Sequence, residues 1–288
     1  MLSTKDTDRL RKRPEAIVVA EVAGNHAGDF DVACKYIEAA ARAGAQYVKF
    51  QKRDIEAIPD EIKQRRRDDE HAFGGTEYEH RRALEFSIEQ HASLREVAEA
   101  HGIRYACSAW DERSYNELHD LGLDYIKIPS ARNTDWEHWK RRGNDPLHIS
   151  LGMVDGGVRD RLLREHGEYK VPSVLWYACT SKYPADAQDT FLLEIPYLLE
   201  RAGVCGFSGH HRGIQLDIAA YMLGATWIER HFTLDRAAKG TDHAASLEPG
   251  GLAKLVRDLA AIREALKPKP YSLPECEKAS YLKLKGTK

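Results

Sequence analysis

Two histidines stand at the ends of two successive apolar runs. His210 closes the segment Gly206-Phe-Ser-Gly-His210, which follows Gly203-Val-Cys205. His231 closes Ile228-Glu-Arg-His231, which follows Ala225-Thr-Trp227. Between them, Ile214 to Gly224 carries apolar side chains at helical spacing. In a parallel α/β arrangement the C-terminal ends of two such strands lie side by side. His210 and His231 are therefore expected to meet over one metal ion or one substrate, with His211 as the alternative to His210. With Glu229 they offer donors of borderline softness, suited to manganese, zinc or iron(II).

Two lysines indicate the charge of what binds there. Lys49 lies in Tyr47-Val-Lys-Phe-Gln51 and Lys127 in Asp124-Tyr-Ile-Lys-Ile128. An ammonium inside an apolar strand is costly unless it meets an anion, so the pair predicts an anion pocket. Gln51 shares the strand face of Lys49. Ser108, Ser130, Ser150, Ser181 and Ser208, each at or just past a strand end, add uncharged donors, and Glu21 closes the first strand. Cys179, beside Thr180, reads as a small buried apolar group.

Such residues need a frame that gathers strand ends. Ile17–Glu21, Tyr47–Gln51, Arg104–Ser108, Asp124–Ile128, Leu147–Leu151 and Ser173–Ala178 read as strands, followed by the two that carry His210 and His231. Helical spacing runs over Asp31–Ala43, Ala92–Ala100, Asp111–Leu121, Asp135–Arg142, Val158–His166, Phe191–Ala202, Ile214–Gly224 and Leu252–Leu266. This alternation predicts a single-domain α/β protein, a (β/α)8 TIM barrel over residues 15–267. Residues 52–86 are too long and too charged for an ordinary βα loop. They predict a partly helical excursion over the barrel top, in which Glu77–His80 is either a lid or simply part of the crossing. Residues 1–14 read as an N-terminal arm, and 268–288, rich in proline and lysine, as an exposed tail.

Composition excludes several other classes. The 288 residues are 42% hydrophobic and 31% charged with a formal net charge of -2, so no global basic field invites nucleic acid. Arg65 to Arg67 is read as a solvated face. No apolar run reaches the roughly 18 residues a membrane span needs, and the polar N-terminus lacks a signal-peptide core. The five cysteines show no CxxC pairing, which predicts a reduced, cytoplasmic setting.

Six segments together resemble one family. They are Ala20-Glu-Val-Ala-Gly-Asn-His-Ala-Gly28, Val48-Lys-Phe-Gln51, Cys179-Thr-Ser-Lys-Tyr-Pro184, Gly206-Phe-Ser-Gly-His210, Glu229-Arg-His-Phe-Thr-Leu-Asp235 and Gly240-Thr-Asp-His-Ala-Ala-Ser-Leu-Glu-Pro249. In this order, over about residues 16–266, they resemble the sialic acid synthase family. Those enzymes condense phosphoenolpyruvate with a sugar aldehyde to make N-acetylneuraminate, legionaminate, pseudaminate and related ulosonic acids.

The resemblance implies roles. Phosphoenolpyruvate would lie on Lys49, Lys127, Ser130, Ser150, Ser181 and Ser208, with Ser108 close by. A divalent metal, manganese first and magnesium, cobalt or zinc as the other candidates, would sit on His210 and His231. Glu21 would hold water or the sugar, and Gln51, Tyr183 and Asp242 would contact the sugar. A homo-oligomer, dimer or tetramer, is also implied, with no nucleic-acid or membrane partner. The alternatives are a metal-dependent aldolase or lyase on the same barrel, or a non-catalytic barrel subunit.

Several positions depart from the family pattern. Its usual Lys-Ile-x-Ser-Gly-Glu is here Lys127-Ile-Pro-Ser-Ala-Arg132, a base in place of an acid, and its Ser-Thr-Pro is Ser108-Ala-Trp110. Arg132 is therefore expected to bind substrate through an additional anionic group. The resemblance covers the barrel only. The expectation is a barrel lacking the C-terminal antifreeze-like domain of the members that use N-acetylmannosamine.

Overall fold

The computed structural model describes residues 12–135, 145–169 and 174–286. The strands are β1 (Ile17–Glu21), β2 (Tyr47–Lys52), β3 (Arg104–Ala109), β4 (Ile126–Ile128), β5 (Leu147–Ser150), β6 (Val174–Cys179), β7 (Cys205–Gly209) and β8 (Trp227–His231). All pair in parallel with their sequence neighbours, and β8 returns to β1 to close the barrel. The helices are α1 (Phe30–Arg42), α2 (Asp60–Lys63), α3 (Glu77–Leu84), α4 (Ile88–Ala100), α5 (Glu112–Asp120), α6 (Gly156–Tyr169), α7 (Glu194–Ala202), α8 (Gln215–Leu223), α9 (Pro249–Ala265) and α10 (Glu275–Lys285). The expected helix over Asp135–Arg142 lies, beyond Asp135, outside the described residues.

Local chemistry explains these elements. Asp29 caps α1 by accepting from Val32 N at 2.9 Å, and Ala33, Tyr36, Ile37 and Ala40 turn one face inward. Ser87 and Gln90 form a reciprocal capping box that starts α4 at Ile88. The expectation placed that start at Ala92, so the first turn was missed although Ser87-x-x-Gln90 announces it. Pro249 opens α9 from the position where its missing N–H costs nothing. Residues 12–14 rest on α8, where the Tyr221 hydroxyl donates to Pro14 O at 2.9 Å. The tail is exposed as expected, yet it also contains α10, which buries no side chain.

Two apolar layers hold the barrel. The outer one lies between strands and helices and includes Ile37, Phe50, Leu94, Leu118, Trp176 and Leu255. The inner one plugs the barrel's lower end with Val19, Tyr47, Ala106 and Tyr125, backed by Ile17 and Trp227. Tyr125 stacks on His148 with ring centroids 3.6 Å apart. Above this plug the inward side chains become charged.

The 52–86 excursion crosses the mouth as a 3-10 turn (Ile55–Ala57), α2 and α3. It is seated where Gly28, at φ +77, packs against the α3 backbone: a Cβ there would stand 1.9 Å from Ala83 O. Among the described residues no helix is long and apolar enough to cross a membrane.

Candidate active site

Strand register sets the candidate site. Glu21 is opposite Lys49 on one side and His231 on the other. Gln51 is opposite Ser108, Ser108 opposite Lys127, and Ser208 opposite Glu229. One cavity of about 270 Å³ at the C-terminal end of the strands is lined by all of these. Ser130, Ser150, Ser181, Tyr183, His210 and Asp242 complete its expected lining.

The floor is an ionic network. Lys49 Nζ lies 2.6 Å from Glu21 Oε2 and 3.7 Å from Glu229 Oε2, and donates to Ser108 Oγ at 2.8 Å. Lys127 Nζ is 3.7 Å from Glu229 Oε1, donates to Ser150 Oγ and lies 4.6 Å from the Tyr177 ring centre. Ser208 Oγ donates to Glu229 Oε1 at 3.1 Å, and Gln51 Nε2 to Glu21 Oε1 at 2.7 Å.

Burial and neighbours move these charges apart. Burial raises the Glu21 carboxyl above its ordinary range, against the pull of Lys49. Burial also opposes the Glu229 charge, but Lys127 and Lys49 outweigh it and hold the carboxyl down at about 2. The Lys49 ammonium is kept above its usual range because Glu21 and Glu229 overcome its burial. Lys127, with less compensation, is lowered by burial.

The histidines stand beside this floor, ring centroids 5.3 Å apart. His210 Nδ1 is 2.7 Å from Thr180 O, a contact in which the nitrogen must carry the proton and donate it. Burial and the nearby His210 charge keep His231 neutral, its pKa lowered to about 4 against the pull of Asp242. Its Nδ1 is buried without a hydrogen-bond partner, 3.6 Å from Asp242 Oδ2. Among the described residues no three His, Cys, Asp or Glu side chains form a closed metal cage. An orphaned imidazole nitrogen beside a second histidine nevertheless fits an open two-histidine site. Tyr183 covers the pair, 4.2 Å from the His210 ring and 5.4 Å from that of His231.

The model of the NeuB family matches residues 36–270. The chain belongs to the NeuB family. It is 36% identical to human N-acetylneuraminate-9-phosphate synthase over 273 residues, covering 93% of this chain and 76% of that protein. It is 34% identical to the N,N'-diacetyllegionaminic acid synthase of Legionella pneumophila, over 84% of this chain and 70% of that one. The crystal structure of the N-acetylneuraminic acid synthetase of Leptospira borgpetersenii superposes with a TM-score of 0.79 at 26% identity, covering 94% and 92% of the two chains. The chain is accordingly an enzyme of the sialic acid synthase type, a carbon–carbon bond-forming transferase.

Within this NeuB-family barrel the expected residues converge, with two corrections. Arg132 does not line the main cavity. It lies on an adjoining pocket of about 130 Å³, because the 3-10 turn Ser130–Arg132 carries its side chain away from the strand end. Cys179 is only partly buried and lines the cavity, where Ser130 Oγ donates to its sulfur at 3.5 Å. Burial would raise this thiol, but His210 pulls it down to about 7. Of the two neighbouring histidines, only His210 lines the cavity. His211 turns behind the barrel wall to Arg230 and Asp217, leaving His210 in the cavity.

Sequence reasoning missed Arg53, Trp110 and Arg81 and left Glu77–His80 open between lid and crossing; Arg53, Trp110, His80 and Arg81 all line the cavity. His80 and Arg81 belong to α3, which therefore forms part of the roof. Thr76-x-x-Glu79, the capping box of α3, was the available signal.

Proposed function

We propose that this enzyme condenses phosphoenolpyruvate with an open-chain aldose to give a 3-deoxy-2-ulosonic acid and phosphate. The observation that carries the reading is the pairing of two cavities' worth of chemistry in one barrel mouth: a serine-lined floor holding Lys49 and Lys127, next to an open pair of histidines. The relatives named as synthases of sialic and legionaminic acids support it.

Lys49 and Lys127, with Ser130, Ser150, Ser181 and Ser208, receive the phosphate and carboxylate of phosphoenolpyruvate. Two ammonium groups buried away from water are worth more to an anion than the same groups in water. Gln51, Tyr183 and Asp242 hold the sugar with its aldehyde near the histidines. A divalent metal on His210 and His231, manganese first, would supply Lewis-acid polarisation of the aldehyde oxygen.

C3 of phosphoenolpyruvate forms the new bond to the aldehyde carbon as the C2=C3 and C=O π bonds break, and the hydroxyl of a water adds at C2. Glu21, its carboxyl raised by burial, takes the proton of that water and returns it to the alkoxide on the former aldehyde oxygen, which becomes a hydroxyl. The tetrahedral intermediate then loses phosphate as its C–O bond breaks, and the lysines stabilise the departing charge. Phosphoenolpyruvate labelled with 18O in the bridging position tests this route. The label must appear in the released phosphate; label retained in the sugar acid would mean P–O cleavage and a different enzyme.

A further inference from the structure

Lys127 is the less compensated of the two cavity lysines. Its ammonium has Glu229 at 3.7 Å and donates to Ser150 Oγ, whereas Lys49 has two carboxylates. A third contact, which the proposed reaction does not use, is the ring of Tyr177. The ring centre lies 4.6 Å from Lys127 Nζ. Tyr177 is fully buried on β6. Lys127 lines the cavity and Tyr177 does not. The ring therefore meets the ammonium from beneath, inside the barrel, while the other side of the ammonium faces the cavity.

Three features hold that ring. Gly206 is the register partner of Tyr177 on β7 and gives the ring its space: a Cβ there would stand 2.5 Å from Tyr177 Cε1 and 2.9 Å from Cζ. Any side chain at Gly206 would displace the ring. The Tyr177 hydroxyl shares a hydrogen bond of 3.1 Å with His148 Nδ1. His148 is in turn the register partner of Lys127 on β5. It is clamped in the aromatic plug by the stacked ring of Tyr125 at 3.6 Å and a T-shaped contact with Trp227 at 4.5 Å. Burial and the Lys127 charge keep His148 neutral, so no second positive charge stands beneath the lysine.

We infer that Tyr177 is a positioning residue for Lys127, its ring a fixed seat that holds the ammonium beneath the anion of phosphoenolpyruvate. The inference rests on the proposed reading of the cavity as the phosphoenolpyruvate site. An aromatic face attracts a cation, and more strongly where water is excluded. It does so without cancelling the charge. A second carboxylate would hold Lys127 as firmly, but would repel the incoming phosphate. The two lysines thus divide the work: Lys49 is pinned by carboxylates, and Lys127 keeps its charge for the ligand.

Calorimetric titration of the full chain with phosphoenolpyruvate tests this, without any sugar. Tyr177→Met should weaken binding about tenfold or more, the scale of a cation–π contact away from water. Tyr177→Phe, which keeps the ring, should recover most of that loss. Tyr47→Met removes another buried ring of the same plug, one that packs on Tyr125 and Trp227, and should leave the affinity nearly unchanged. Equal losses in Tyr177→Met and Tyr47→Met, or a loss that Tyr177→Phe does not recover, overturn the inference. Should Tyr177→Met not fold, Gly206→Ala displaces the ring without removing it and must show the same loss; unchanged affinity there overturns the inference too. Magnetic resonance of isotope-labelled lysine separates this from a failure of the condensation reading. The Lys127 ε-methylene signal, assigned by its absence in Lys127→Met, should lie upfield under the ring current, move downfield in Tyr177→Met and stay in Tyr177→Phe. If phosphoenolpyruvate does not bind the unaltered chain, the condensation reading fails and this signal judges the seat: an ordinary ε-methylene position overturns it.

Discussion

Glu21 and Lys49 are register partners on adjacent parallel strands, and their charged ends meet at 2.6 Å on the cavity floor. The same ammonium is 3.7 Å from Glu229, so one lysine serves two buried carboxylates. Lys127 has Glu229 alone at that distance and leans on Ser150. The two lysines should therefore behave differently when removed.

Lys49→Met strands Glu21 and takes one of two lysines from Glu229, and should destabilise the fold by about 3–5 kcal/mol. Lys127→Met leaves Glu229 with a remaining partner and should cost about 1–2 kcal/mol. Both should weaken phosphoenolpyruvate binding by about a hundredfold or more. Denaturant unfolding and calorimetric titration on the two variants check the split; equal stability losses would contradict the asymmetry.

A second buried pair lies behind the histidines. Arg230 is fully buried, paired with Asp217, and donates to His211 O at 2.6 Å and Gly213 O at 2.8 Å. It thereby ties the residue after His210 to the residue before His231. Arg230→Met should destabilise by about 3–5 kcal/mol, because Asp217 stays buried without its partner. The double variant Arg230→Met, Asp217→Leu should recover much of that loss in thermal unfolding.

Gly28 holds the roof. With φ +77 and Ala83 O in the space of a Cβ, Gly28→Ala both strains the backbone and pushes α3 outward. The expected cost is about 1–3 kcal/mol. The Michaelis constant for the sugar should rise while binding of phosphoenolpyruvate, deeper in the barrel, holds. A variant with both constants unchanged would mean that α3 does not help to form the sugar site.

Stability should fall in mild acid. Burial lowers His26 to about 4 and His91 to about 3, from an unfolded value near 6.5. Between these limits the unfolded chain binds protons that the folded chain does not, so stability rises with pH. It is fully present above about 6.5 and is lost as the pH falls towards 4, at about 1.4 kcal/mol per pH unit for each histidine. Denaturant midpoints from pH 7 to 4 check this, and His91→Gln, keeping a polar group near the Tyr105 hydroxyl now 2.6 Å from Nδ1, should flatten the slope.

The barrel was legible because each strand is a short apolar run and each outer helix repeats its buried face. Site residues at strand ends were legible for the same reason: Lys49, Lys127 and Ser208 break an apolar run, and a break inside a strand marks a function. Arg53, His80 and Arg81 lie in the excursion, where no periodicity tells which charged side chain turns inward. The position of Arg132 beside the main cavity was not legible, because a 3-10 turn follows Pro129 and strand alternation does not extend through a turn. Cys179 looked like core since a thiol after five buried residues usually is; only the position of His210 across the next strand changes its surroundings.

The most direct test of the central claim is phosphate release from phosphoenolpyruvate with manganese, across N-acetylmannosamine, mannose, arabinose, their phosphates and 2,4-diacetamido-trideoxyhexoses. The account predicts release that requires one of these aldoses, stops with chelator and is lost in His231→Ala. Phosphoenolpyruvate that neither binds nor yields phosphate with any aldose would contradict it.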